Sequence, residues 1–344
     1  MHRLTTALGM PQHRFASIHV VGTNGKSSVT RMIAALLEAH GVSTGTCLSP
    51  HVSRWSERIQ IRGSDIGPGP FREAVERTAQ AAANVNRTLG GGEEVTQFEV
   101  ATAAAFVALA GARVECGVIE AGLGGRLDAT NVLPSKVAVL TSVGLDHTEW
   151  LGDTEEQIAA EKLAVLRDHS ILALGRVGPE VRDLAMAAVA EHGARLVEPP
   201  AAEDPDLELR VAGGFQRRNF ALARTAADAY LGELDPDRVA AVARTVAVPG
   251  RLERVGGDPP CFIDAAHNPA GAAALAEALP EVSGGRPFFA CIGMLDDKDA
   301  GGFLGALAPV VETVVCSELP ADRLRASARP GTASIPAEDL VELA

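Results

Sequence analysis

Apolar positions recur along the chain in short β-branched runs that alternate with stretches of helical spacing. That alternation predicts a layered α/β protein with a mostly parallel sheet. Ile18, Val20 and Val21 predict a first strand, after which Val29, Met32, Ile33, Leu36 and Leu37 fall on one helical face that Gly41 closes. Residues 44–48 predict a second strand, and 49–61 a structured loop that enters a third. An Ala-rich helix is expected over 71–89, where glycines stop it. Thr96 opens another, with Glu99 three residues on in the pattern of a capping box. Further strands are expected at 114–119, 137–143 and 171–174, with helices from Thr154 through Leu166, over 181–190, and from Gly213 to near Gly232. Residues 199–205 read as a proline- and acid-rich connection. Helical patterning breaks at Pro249-Gly250, and a new series begins with strands at 261–263 and 288–292. Two domains are therefore expected, residues 1–248 and 249–344.

Composition narrows the class. A chain of 344 residues can bury two sizeable cores, and its 47% hydrophobic and 22% charged content is that of an ordinary globular protein. The net charge of −13, with no basic block to offset it, argues against a nucleic-acid or membrane-surface binder, so any anion site must be local. Cys47, Cys116, Cys261, Cys291 and Cys316 lie far apart and are odd in number, which suggests neither a zinc cage nor a disulfide framework. The expected compartment is reducing and cytoplasmic. No signal-peptide pattern opens the chain, and the apolar stretch 103–110 is too short to span a bilayer.

The densest chemistry is Gly22-Thr23-Asn24-Gly25-Lys26-Ser27-Ser28, set between the first strand and the first long helix. Glycines allow a sharp turn that aims backbone amides inward, and the helix adds its positive end, so the loop suits phosphate oxygens. Lys26 would reach the outer phosphates, and a hydroxyl of Ser27 or Ser28 would meet Mg²⁺. The first glycine of the usual P-loop spacing is replaced by Val20. A lysine at a helix mouth opposes the helix dipole, which an ordinary turn would not require. Glu120 and His147 each follow a predicted strand, where open α/β sheets bind ligands. Of these, Glu120 is the better match to a hard cation. By local pattern alone Lys162, among Glu155, Glu156 and Glu161, is a solvated surface lysine, and Thr96 with Glu99 is a helix cap.

Taken together, several motifs resemble the folylpolyglutamate synthase and dihydrofolate synthase family of the Mur ligase superfamily. They are the loop at 22–26, Ser49-Pro50-His51, Glu57-Arg58-Ile59, Phe98-Glu99, residues 122–131, Asp146-His147-Thr148, Ala160-Glu161-Lys162, Gln216 with Asn219, Pro249-Gly250-Arg251, residues 264–269 and Asp297-Lys298-Asp299. The resemblance implies a P-loop ATPase domain with a mostly parallel sheet plus a smaller Rossmann-like C-terminal α/β domain, closing over the first. The implied reaction is ATP-dependent: the carboxylate of dihydropteroate or a reduced folate is phosphorylated, and L-glutamate attacks the acyl phosphate.

By the same resemblance, Gly22, Thr23, Asn24, Gly25, Lys26, Ser27, Ser28, Asn219, Arg251 and Asp264 bind ATP. Ser49, Glu120 and His147 hold Mg²⁺, and Lys162 matches a lysine carboxylated in the family that helps place a second Mg²⁺. Thr96, Gln97, Phe98 and Glu99, with Leu127, Asp128 and Ala129, lie near the pterin, and His267 near the amino acid. Lys26, His147, Lys162, Asp264 and His267 are the implied catalytic set, in a monomer. The chain departs from the family pattern in Ser27-Ser28, where glycine then serine is usual, and in Leu163-Ala164-Val165 after the lysine. It also starts nearer its first strand and ends earlier than the family does. Two alternatives stand beside this reading: another Mur-type amino-acid ligase, and a catalytically silent nucleotide-binding regulator.

Overall fold

The computed structural model describes residues 1–51, 53–201, 206–320 and 333–344. Val52 of the loop at 49–61, and 202–205 of the connection at 199–205, lie outside the described residues. Chain contacts separate two compact units: Met1–Arg210 with Arg218–Val248, and Val211–Arg217 with Pro249–Ala344.

The first unit is built on an eight-stranded sheet in the order β4-β3-β2-β5-β1-β6-β7-β8. The strands are β1 (Ala16–Val21), β2 (Thr44–Cys47), β3 (Ile59–Ile61), β4 (Ser64–Asp65), β5 (Cys116–Glu120), β6 (Val137–Leu140), β7 (Ile171–Leu174) and β8 (Arg195–Val197). The six strands from β2 to β8 pair in parallel, and β3 and β4 add an antiparallel edge. β1 lies between β5 and β6, with Val20 opposite both Glu120 and Val139. The order reverses around β1, so its C-terminal end opens the crevice in which such sheets bind ligands.

Helix α1 (His2–Ala7) precedes these strands, α2 (Lys26–Ala39), α3 (Pro68–Asn86), α4 (Gln97–Gly111), α5 (Thr148–Leu151), α6 (Glu155–Leu163) and α7 (Pro179–Glu191) connect them, and α8 (Gly214–Leu231) and α9 (Pro236–Thr245) follow them. The apolar run noted at 103–110 is a core segment of α4: Thr102 through Leu109 are all buried. Phe106 is fully buried and tilts against Phe15 at 6.3 Å between ring centres. Burial of each such large side chain is worth roughly 1.5–3 kcal/mol. Among the described residues no helix is long and apolar enough to cross a membrane.

Several elements differ from the sequence expectation, most by two or three residues at their ends, and three of the differences have a physical reason. β6 stops at Leu140 rather than Val143, because Thr141 N–H bonds Val21 O and Ser142 O accepts from Thr23 N, drawing the chain onto the neighbouring loop. α6 ends at Leu163, and Val165 and Leu166 continue the apolar face in a turn. The short strand β8 extends the sheet beyond β7, where no strand was expected.

The second unit contains the antiparallel pair β9 (Glu253–Gly256) and β10 (Cys261–Ile263) and the parallel pair β11 (Phe288–Ile292) and β12 (Val311–Cys316). α10 (Pro269–Ser283) precedes β11, and α11 (Ala300–Leu307) makes the crossover from β11 to β12; α12 (Ala337–Leu343) follows. Leu279, Ile292, Phe303, Leu304, Leu307 and Leu340 form its core. Among the described residues its strands form these two pairs rather than one continuous sheet.

Candidate active site

The loop between β1 and α2 turns through Gly25, whose φ of +86° favours glycine, and it leaves no room for a side chain there. A Cβ on Gly25 would meet Asn219 Oδ1 at 2.6 Å, so Asn219 of α8 is held directly against the loop. Thr141 Oγ1 donates to Asn24 O at 2.6 Å. Ser142 Oγ accepts from Asn24 N at 3.0 Å, and Thr23 Oγ1 bonds the backbone of Gly144. The segment after β6 therefore clamps the loop from one side. Thr141 and Ser142 escaped sequence reasoning because they read as the end of an apolar strand; the signal was two hydroxyls on a strand that flanks β1.

On the other side the oxygen donors collect. Ser27 Oγ donates to Glu120 Oε1 at 2.8 Å, and Ser49 N–H donates to Glu120 Oε2 at 3.0 Å. Ser27 Oγ also lies 3.5 Å from Ser49 O. Glu120 is buried at 2% exposure at the end of β5. The carboxylate, hydroxyl and carbonyl converge beside the helix N-terminus, and such hard oxygen donors fit Mg²⁺. Among the described residues no group of three or more His, Cys, Asp and Glu side chains gathers. That accords with a cation held by one carboxylate, a few neutral donors and the phosphates of its substrate.

His51, Trp55 and Arg58 brace the Ser49 loop. Arg58 Nε donates to His51 Nδ1 at 2.9 Å, and its guanidinium lies 4.3 Å from the Trp55 ring centre. The two rings are 4.8 Å apart. The sequence marked His51 and Arg58 as parts of motifs, without this stacking on Trp55.

Two lysines meet at one carbonyl. Lys26 Nζ donates to Gly22 O and Thr23 O, each at 3.0 Å, and Lys162 Nζ donates to Gly22 O at 3.1 Å. Lys162 is 3% exposed, which corrects its reading as a solvated surface residue. Ile158, Ala159, Lys162 and Leu163 form the buried stripe of α6, so the lysine points with the apolar residues. Burial and then the charge of Lys26 lower its pKa to about 7, against the opposing pull of Asp146 and Asp128.

Gly125 is what brings α6 so near. A Cβ there would lie 2.5 Å from Glu161 O and 2.9 Å from Lys162 O. Gly125→Ala is expected to push α6 away, costing about 1–3 kcal/mol by overpacking, and to slow turnover with it. Urea unfolding and steady-state kinetics on the same preparation check this; an unchanged midpoint would contradict the close approach.

His147 has a φ of +52° at the start of α5, with Nε2 3.7 Å from Asp146 Oδ1. Thr96 caps α4 reciprocally: its Oγ1 accepts from Glu99 N at 3.2 Å, and its N–H donates to Glu99 Oε2 at 2.8 Å. Gln97 begins α4. The Phe98 ring packs where a side chain on Gly122 would stand, which fixes α4 against the Gly-rich loop 121–131. In that loop Asp128 accepts from Leu123 N, Thr130 N and Thr130 Oγ1. Leu127 is 91% exposed beside it, and Ala129 is buried.

Within the second unit, Asp264 Oδ2 accepts from Leu252 N and Oδ1 from Ala266 N, each at 2.7 Å, which fastens the segment carrying Arg251 to the end of β10. His267 Nδ1 lies 3.0 Å from Ala265 O, and Asn268 caps α10.

A P-loop at the switch point of a parallel sheet, backed by the buried carboxylate of Glu120 and the buried Lys162, fits an ATP-dependent enzyme of the Mur ligase class. Family models agree: the Mur ligase middle domain matches residues 20–198, and the Mur ligase glutamate ligase domain matches 250–344. The chain belongs to the dihydrofolate synthase/folylpolyglutamate synthase family. It is 36% identical to a dihydrofolate synthase/folylpolyglutamate synthase of Mycobacterium tuberculosis, over 91% of this chain and 72% of that protein. The solved Mycobacterium tuberculosis folylpolyglutamate synthase complexed with ADP superposes with a TM-score of 0.90 at 34% identity, over 99% of this chain and 80% of that one. An Escherichia coli relative solved with DHPP and ADP gives 0.82 at 28% identity, over 100% and 82%.

Proposed function

We propose that the chain joins L-glutamate to dihydropteroate or a reduced folate, using ATP through an acyl phosphate. The observation that carries this is the convergence of Ser27, Glu120, Ser49, Lys26 and Lys162 on the loop at 22–28. The Mycobacterium tuberculosis and Escherichia coli relatives, solved with ADP and with DHPP and ADP, support the same ligand classes.

In this reading the amides of 22–28 and the Lys26 ammonium receive the phosphate oxygens, offsetting charge on the phosphoryl group as it moves. Ser27, Ser28 and Asn219 complete the nucleotide site of the first unit, and Arg251 and Asp264 are assigned to nucleotide binding by the family resemblance. Ser49, Glu120 and His147 would hold Mg²⁺, with Lys162 placing a second ion. When bound, Mg²⁺ polarises the phosphoryl oxygens and neutralises charge that builds on them. A pKa of about 7 leaves much of the Lys162 amine neutral near physiological pH, the form that adds CO₂ with loss of a proton to become a carbamate. Thr96, Gln97, Phe98 and Glu99, with Leu127, Asp128 and Ala129, form the pterin side, and His267 attends the amino acid. Residues 1–248 thus serve as the ATP-binding domain and 249–344 as the glutamate-ligase domain.

The reading is of a monomer acting on small molecules in a reducing, cytoplasmic setting. The net charge of −13 and five unpaired cysteines support it. Purified protein is expected to release ADP and phosphate only when L-glutamate and either dihydropteroate or a reduced folate are present together, with mass spectrometry reporting the acceptor and the number of glutamates added. ATP binding without turnover on any such pair would favour the silent regulator.

A further inference from the structure

His19 stands in the middle of β1 with no exposed surface, and the chemistry above makes no use of it. Its Nε2 lies 2.7 Å from Thr130 Oγ1. The Thr130 hydroxyl donates to Asp128 Oδ1 at 2.5 Å, and Thr130 N–H donates to the same oxygen at 2.9 Å. A hydroxyl has one proton to give, and Asp128 takes it. With Asp128 ionised, Nε2 therefore carries the imidazole proton and donates to the Thr130 oxygen. Nδ1 is left as a bare acceptor, and among the described residues it is buried with no hydrogen-bond partner. Burial, and then the charge of Arg167, lower the His19 pKa to about 3, so the ring stays neutral throughout the working range.

An orphaned ring nitrogen in the core costs free energy that an apolar β-branched residue at this β1 position would avoid. What the histidine supplies in exchange is the Thr130 contact. Thr130 and Leu123 close the loop 121–131 around the Asp128 carboxylate, and Leu127 stands out from that closed loop beside it.

We infer that His19 is a positioning residue for the acceptor site: its imidazole fixes the Thr130 hydroxyl, which holds Asp128 as the knot of the loop that presents Leu127 to the pterin. This rests on the reading that residues 127–129 border the acceptor.

Thr130→Val removes the hydroxyl and keeps the shape, and Thr130→Ser restores it. Thr130→Val is expected to raise KM for dihydropteroate about tenfold while KM for ATP stays within about twofold, and Thr130→Ser to return to near the original value. His19→Gln, whose side-chain nitrogen reaches the Nε2 position, should preserve KM for dihydropteroate better than His19→Phe. Nitrogen-15 NMR of the unmodified protein should report an Nε2–H tautomer; an Nδ1–H tautomer would overturn the inference even if no variant folded. Leu127→Ala tests the underlying reading separately. If it raises KM for dihydropteroate and Thr130→Val does not, the inference fails and the loop's role stands. If neither variant moves that KM, both fall. A parallel rise in both KM values in Thr130→Val marks general loosening and also overturns it.

Discussion

Lys26→Met is expected to lower kcat/KM for ATP by roughly a thousandfold or more while leaving the fold intact. The magnitude follows from the role: cations that offset charge on a transferring phosphoryl group contribute about a hundredfold to 10⁵-fold each. The intact fold follows from the position. Lys26 opens α2, where its charge opposes the helix dipole, and it bonds the carbonyls of Gly22 and Thr23. Removing it also relieves the repulsion between its charge and Lys162, so the thermal midpoint should move by no more than about 3 °C. Glutamate-dependent ADP release and a thermal scan on the same sample decide the matter. Turnover within about tenfold of the parent would remove Lys26 from the chemistry, and collapse of the fold would make it a structural residue.

What the sequence disclosed depended on how far apart the partners lie along it. The phosphate loop was legible because its glycines, lysine and serines are consecutive and sit at a strand-to-helix switch. Glu120 was legible because an apolar strand ends on it. Lys162 misled for a definable reason: its sequence neighbours Glu155, Glu156 and Glu161 are charged, but a helix buries a stripe, and that stripe is Ile158, Ala159, Lys162 and Leu163. Reading at a spacing of four rather than by neighbourhood would have placed it inside.

Contacts between distant segments left no such trace. His19 and Thr130 are 111 residues apart, and Asn24 and Ser142 are 118 apart; each pair meets only because β1 lies beside the strands that lead to those loops. The Arg58, Trp55 and His51 stack lies within a few residues but needs a turn that no periodicity announces. In the second unit the strands at 261–263 and 288–292 were legible as apolar runs, whereas β9 was not, since all four of its residues are exposed.

Lys162→Met carries the second large effect, and it separates stability from function. In the unfolded chain the lysine titrates near 10.5, and in the folded chain near 7, because burial and Lys26 disfavour its charge. Between these values the unfolded state holds more protons, so Lys162 makes folding stability rise with pH from about 7 to about 10.5. Below pH 7 the whole cost of the buried charge is present, on the order of a few kcal/mol. Methionine fills similar space without that charge. In CO₂-depleted buffer the variant should therefore have the higher urea midpoint at pH 7, with the two proteins converging as pH approaches 10. Turnover should nonetheless fall by about a hundredfold or more, and added bicarbonate should raise the activity of the parent but not of the variant. A stability gap that does not narrow with rising pH would show that the lysine is not buried as a charge. Retained turnover would remove it from the metal and phosphate chemistry while leaving the burial argument standing.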